Sequence, residues 1–224
     1  MLSLLFAVAV SASPTTPCRL NLEKGETLIE RRTLKVRDGT LEAVAVSKSD
    51  EKYGDPESRL VVLGLGCNVI FSQRFDDATK VLFSEKRLGE QPILFVTAFR
   101  PGGSGAGFDH ALLAYGGEMF PQDGVQPLAP MSLKQGNMDG IFVGDLGRGR
   151  GPGLVTWNAQ WLGQEAHYEP HQYEIVSYAW RNGRFVGPNI RTTKRKYNPE
   201  PNDVARRLGL GFKDMTQQSR FGWR

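Results

Sequence analysis

Short apolar runs, rich in β-branched and aromatic side chains and closed off by Gly, Pro, Asn or Asp, recur along most of this chain. They read RLVVLG (59–64), NVIFSQRF (68–75), KVLFSE (80–85), ILFVTAF (93–99), HALLAYGG (110–117), GIFVGDL (140–146), GLVTWNAQW (153–161) and YEIVSYAW (173–180). Such runs are strand signals, because β-branched and aromatic side chains suit a pleated, half-buried surface. Residues 24–46 alternate more loosely and are expected to form two strands around Asp38-Gly39. Asn182-Gly183 is the strongest short hairpin signal in the chain, since a two-residue turn of the right twist needs positive φ at both positions. Roughly eight to ten short strands joined by turns predict an all-β, antiparallel domain of the sandwich, barrel or propeller-like class. With 224 residues, 40% of them hydrophobic, the chain is long enough to bury a core of its own. The one helix signal is NDVARRLGL (202–210), where Asn202 caps and Val204 and Leu208 share a face.

The first thirteen residues, MLSLLFAVAVSAS, are apolar and uncharged. An apolar stretch of about ten residues is too short to span a bilayer, which takes about 20. With small residues at Val10 and Ala12 it reads as a signal peptide spanning 1–12; a buried N-terminal strand is the alternative. No transmembrane span is expected. An exported chain with an even pair of cysteines implies one disulfide, Cys18 to Cys67, closing a loop of about 50 residues worth roughly 3–4 kcal/mol of chain entropy. The expected location is periplasmic or secreted.

The formal charge of +4 is unevenly placed. Residues 181–224 hold eleven Lys/Arg against Glu200, Asp203 and Asp214, a net +8, which leaves −4 on the other 180 residues. The expected organisation is therefore a β domain over 13–190 and a basic tail over 191–224. The tail would be solvated or drawn to an anionic surface. In an exported protein RTTKRKY (191–197) is not expected to meet nucleic acid.

Several stretches invite a chemical reading. FVGDLGRGRGPGLVTW (142–157) has the shape of a calcium-binding loop. Its core, DLGRGRGPGLV, resembles the DLNGDGxPDLV unit of FG-GAP/VCBS-type β-propeller repeats, matching at Asp145, Leu146, Pro152, Leu154 and Val155. DPESRLVVLG and GEQPILFVTA share only the general shape of a turn before an apolar strand. The resemblance implies a partial or degenerate propeller-like stack of sheets. In those repeats side-chain oxygens hold Ca²⁺, but of the equivalent acids only Asp145 is kept here. Gly147, Gly149 and Gly153 offer no side-chain oxygen, and Arg148 and Arg150 add positive charge. The loop is expected to be a turn without a metal, and no cofactor is expected.

EAHYEPHQYE (165–174) puts His167, Glu169 and His171 at alternate positions, one face of a strand and the pattern of a two-His-one-carboxylate metal site. Pro170 interrupts a regular strand, and a solvated hairpin tip is the plainer reading. PGGSGAGFDH (101–110) imitates a nucleophile elbow at Ser104, but Ala106 replaces its second Gly. Asp109 and His110 are adjacent, so on a strand they face opposite sides. Trp157, Trp161, Tyr173, Tyr178 and Trp180 concentrate aromatic rings that either bind a partner or belong to the core. The expectation is a non-catalytic binding protein that contacts a protein or glycan at the cell envelope, with Trp157, Trp161, Tyr178, Trp180, Arg148 and Arg150 as candidate contacts. The alternative is a metal-dependent hydrolase centred on His167, Glu169 and His171.

Overall fold

The computed structural model describes residues 17–48, 56–102, 106–116, 124–128, 133–136, 138–147, 149–161, 163, 165–166 and 169–198. The expected signal peptide, Ser104, Arg148, His167 and the helix at 202–210 lie outside them. The described residues form thirteen strands and no helix. These are β1 (Glu26–Val36), β2 (Gly39–Lys48), β3 (Glu57–Leu63), β4 (Val69–Asp76), β5 (Lys80–Leu88), β6 (Gln91–Arg100), β7 (Gly107–Tyr115), β8 (Val125–Pro127), β9 (Leu133–Gly136), β10 (Gly140–Asp145), β11 (Pro152–Gln160), β12 (Gln172–Arg181) and β13 (Arg184–Thr192). Every apolar run singled out above falls on one of them to within a few residues. The short β8 and β9 carry no such run and were not anticipated.

The strands make three open antiparallel sheets: β1-β2-β3-β4, then β5-β6-β7-β8 with β9 also on β7, then β10-β11-β12-β13. The chain is all-β, as expected. Each turn follows from its residues. Asn182 and Gly183 take φ of 48° and 74°, so Arg181 pairs with Arg184 across a two-residue turn. Cys67, at φ 60°, sits in the tight turn between β3 and β4 and is bonded to Cys18.

The sheets stack, and the period-2 alternation of the middle sheet decides which neighbour each residue faces. On β6, Leu94, Val96 and Ala98 face the first sheet, while Ile93 and Phe95 face the third. On β7, Leu113 and Tyr115 join the first layer, with Leu112 and Ala114 in the second. Strand β5 is the hinge of the stack, touching β1, β2 and β3 on one side and β10 and β11 on the other. The outer face of the first sheet buries Val44, Val46, Val61 and Leu63 against Cys18 and Leu20. A polar clamp assists the disulfide there. Glu42 accepts the Cys18 N–H, and Arg31, itself paired with Glu42, donates to the Cys18 carbonyl at 2.8 Å.

The ordered fold runs past the boundary expected at 190. Ile175 pairs with Arg191 and Glu174 with Thr192. Thr193 accepts from the Tyr173 N–H at 2.9 Å, and Tyr197 exchanges backbone hydrogen bonds with His171. The charges of this stretch masked its role: Arg191, Lys194, Arg195 and Lys196 read as a solvated tail, but an edge strand can be polar on both faces and still be held by its ladder.

Candidate functional site

The connections between the first and second strands of the three sheets gather at one end of the stack. A Cβ on Gly89, in the β5–β6 turn, would lie 3.9 Å from Pro152 of β11, and one on Gly116, beyond β7, would lie 3.2 Å from Val36 of β1. Between β1 and the β5–β6–β7 end lies a cleft of about 660 Å³ whose lining includes Thr33, Lys35, Glu85, Lys86 and Arg87. Its floor is Tyr115, a buried residue whose O–H donates to Glu85 Oε2 at 2.8 Å. Burial, and then the Glu85 carboxylate, hold the Tyr115 hydroxyl protonated far above its ordinary range.

The loop from Asp145 to Pro152 is built as a turn. Asp145 spends its carboxylate on the Gly147 N–H, at 2.9 Å, and the Leu146 N–H donates to the Gly151 carbonyl. Gly147, Gly149 and Gly151 all have φ between 65° and 73°, the left-handed region that glycine enters without penalty. Gly153 is needed for a different reason: a Cβ there would collide with the Tyr178 carbonyl and with Leu146. Arg150 folds its guanidinium back over the loop and donates to the Leu146 carbonyl at 2.5 Å and the Gly147 carbonyl at 3.3 Å. A cation is thus already present, supplied by the chain. Of the two arginines singled out in the sequence, Arg150 is an internal partner of the loop.

Of the alternative metal triad, His167 lies outside the described residues, and the other two members, Glu169 and His171, have separate partners. His171 is fully buried and its Nδ1 lies 2.9 Å from Glu165 Oε2, not from Glu169. Glu169 is exposed and accepts the Ala166 N–H. Glu165 also pairs with Lys196, so the carboxylate that matters beside His171 was one the alternating pattern did not select. Among the described residues no three His, Cys, Asp or Glu side chains are grouped to hold a metal ion.

The aromatic concentration divides. Trp157 is fully buried in a core cluster with Leu146, Val155, Tyr173 and Ile175, so it is withdrawn from the candidate surface. Its indole fills the space above Gly140, where a Cβ would collide with the ring. Tyr178 and Trp180 are half-buried and pack with Phe185 against the second inter-sheet layer. Trp161 alone of the four candidates is well exposed, at 52%, with its ring 4.6 Å from that of His171.

Sequence reasoning missed a buried polar chain. On the face of the middle sheet turned to the third, Thr97 of β6 lies opposite His110 of β7, and Gln135 of β9, paired with Phe108, is the diagonal neighbour of His110. Gln135 Nε2 donates to the Asp139 carbonyl at 3.0 Å, which turns its Oε1 to His110 Nε2 at 2.9 Å. His110 Nε2 therefore carries the proton and Nδ1 accepts from the Thr97 hydroxyl at 3.0 Å. Phe95 stacks on the imidazole. Burial lowers the His110 pKa from 6.5 to about 4, against the smaller raising effect of Gln135. Asp109 faces the opposite way and pairs with Arg100 at 3.0 Å, as adjacency on a strand requires. The available signal was a His and a Thr at matching parity inside otherwise apolar strands. Their third partner sits on β9, which has no strand signature.

Comparison with known protein families, with curated proteins and with solved structures finds no match for this chain.

Proposed function

We propose that the chain is an exported, non-catalytic binding protein that contacts a protein or glycan partner at the cell envelope, with the cleft between the first and second sheets as its contact site. The observation that carries this reading is an open cleft of about 660 Å³ at the turn-bearing end of a rigid stack. That volume falls within the usual range for small-ligand sites. The bond between Cys18 and Cys67 supports export, since such bonds persist in oxidising compartments.

On the same reading the three sheets are successive units of an open, degenerate FG-GAP/VCBS-type propeller that has lost its calcium. Two features support this. Each sheet begins as a meander of sequential antiparallel strands, and the first strands β1, β5 and β10 lie next to one another. The degenerate repeat unit joins the first two strands of the third sheet. Arg150 takes the place of the ion by donating to two loop carbonyls.

Site-directed photo-crosslinking in envelope extract tests the reading. A crosslinker at Thr33, on the cleft, is expected to give a discrete adduct with one protein or glycan. The same group at Ser72, exposed on β4, should give none. The same adduct from both positions, or none from Thr33, overturns it.

A further inference from the structure

Resting on that reading, we infer that the cleft takes an acidic oligosaccharide, a short sugar chain bearing carboxylate or sulfate groups. Two cations, Lys35 and Arg87, line the cleft against one carboxylate, Glu85, and Lys86 completes its charged rim. Lys35 is exposed and has no ion pair among the described residues. Arg87 faces Glu90 at 3.7 Å with both side chains open to water, a pairing that a better anion displaces easily. The guanidinium fork matches the paired oxygens of a carboxylate or sulfate, while Lys35 acts as a movable point charge.

Glu85 decides between a compact anion and an extended one. A phosphate seated between Lys35 and Arg87 would be pressed against the Glu85 carboxylate and repelled. A chain with single charges set apart by hydroxyl-bearing rings avoids this. Carboxylate oxygens accept several hydrogen bonds, so Glu85 can hold the Tyr115 O–H and still receive sugar hydroxyls. The lining also argues against a neutral sugar as the preferred ligand. Its aromatic ring, Tyr115, is 2% exposed and cannot offer a stacking face, so charge is the available handle. Pro92 adds a small apolar patch to the lining for ring carbons.

The test is equilibrium binding to the full chain, read by calorimetry and by amide shifts. The probes are a galacturonic acid trimer, a sulfated chondroitin oligosaccharide, neutral maltotriose and inorganic sulfate. One or both acidic oligosaccharides should bind, shift the amides of Thr33 and Lys86, and bind more weakly as salt rises. The Lys35→Ala/Arg87→Ala variant should bind them about tenfold to a hundredfold more weakly, the loss expected for two charge-assisted contacts. An Arg206→Gln/Arg207→Gln variant, altered in the basic tail, should bind as the parent does. Melting curves establish that each variant folds. The uronate and the sulfated ligand together show which acidic group is preferred. Binding unchanged in the cleft variant overturns the inference, as does tight binding of sulfate alone. Maltotriose in the cleft at equal affinity also overturns it while leaving the binding-protein reading intact. Absence of binding by every probe, with the Thr33 adduct still formed, has the same consequence.

Discussion

The two layers between the sheets are built by the same strands from opposite principles. The layer shared by the first and middle sheets is almost entirely aliphatic and aromatic, from Leu34, Leu41, Leu60 and Val62 across to Leu94, Val96 and Leu113. Its buried polar group at the edge, the Ser58 hydroxyl, donates to the Ala78 carbonyl at 2.7 Å. The layer shared by the middle and third sheets also has an aliphatic body, Leu88, Ile93, Leu112, Val143 and Leu154, but carries the Thr97–His110–Gln135 chain through it. An apolar layer carries no group that titrates in acid, and its register is set by alternation alone. A fully bonded polar chain fixes the register of β6, β7 and β9, because a slip by one residue would leave each buried group unpaired. It also makes the layer sensitive to protons.

The sharpest test uses two neighbours on β7. Leu112 faces the second layer and Leu113 the first, and both are buried to within 1%. Leu112→Ala and Leu113→Ala should each lower stability by about 2–5 kcal/mol in denaturant titrations, through lost transfer energy and a residual cavity. If one substitution were nearly neutral, the layer it faces would not be a packed core.

The outer face of the first sheet is closed differently, by a covalent staple. Intact protein should weigh two hydrogens less than its reduced form under non-reducing mass spectrometry. The Cys18→Ser/Cys67→Ser variant should lose about 3–4 kcal/mol, the chain-entropy value for a loop of this length. Two free thiols in exported material would contradict both the bond and the export.

Acid should find the second layer first. The unfolded chain takes up a proton on His110 near pH 6.5, whereas the folded chain holds out to about pH 4. The stabilising contribution is therefore whole above pH 6.5 and is lost as pH falls from there toward 4. Its full size is about 3 kcal/mol, by linkage between the folded and unfolded titrations. Denaturant midpoints measured between pH 7 and pH 4 should fall on this account, and a His110→Leu variant should lose most of the slope. A slope that survives the substitution would place the sensitive group elsewhere.

A smaller loss is expected from Thr97→Val, which keeps the shape and removes the hydroxyl. It leaves the His110 Nδ1 buried without its donor, at about 1–3 kcal/mol by denaturant titration. The corresponding change in the first layer, Ser58→Ala, removes a donor and leaves only a carbonyl to satisfy, so it should cost less. Equal losses would erase the distinction drawn between the layers.

The smallest effect is expected of calcium. With Asp145 bonded to Gly147 and Arg150 already on the loop carbonyls, millimolar Ca²⁺ should leave the melting midpoint where it is. A site filled at 100 times its dissociation constant would add about 2.7 kcal/mol. A rise of that order, abolished by Asp145→Ala, would overturn the reading of the loop.

Much of the fold is legible in the runs themselves. Apolar and β-branched side chains in period-2 patterns, bounded by turn residues, located ten of the strands, because strand formation and face burial are set by near neighbours in the chain. Asn182-Gly183 fixed a hairpin for the same local reason. The even cysteine pair, read with the apolar N-terminal run, led to the bond between Cys18 and Cys67. The glycines of the 145–153 loop were readable as turn residues.

Only the tertiary structure decided the rest, since it depends on residues distant in sequence. Nothing in the run of residues 85–87 separates Glu85, Lys86 and Arg87 from ordinary solvated charges. They line a cleft because β1 brings Thr33 and Lys35 across from a different sheet. Trp157 and Trp161, four positions apart in one aromatic stretch, received opposite fates, core and surface, because β11 ends between them at Gln160. His171 found Glu165 rather than Glu169, because both carboxylates lie between β11 and β12, outside any strand, where alternation no longer decides which side chains meet. Periodicity is a property of one strand, whereas the clefts, pairs and buried polar chains of this protein are made between strands. Their partners are chosen by the packing of whole sheets.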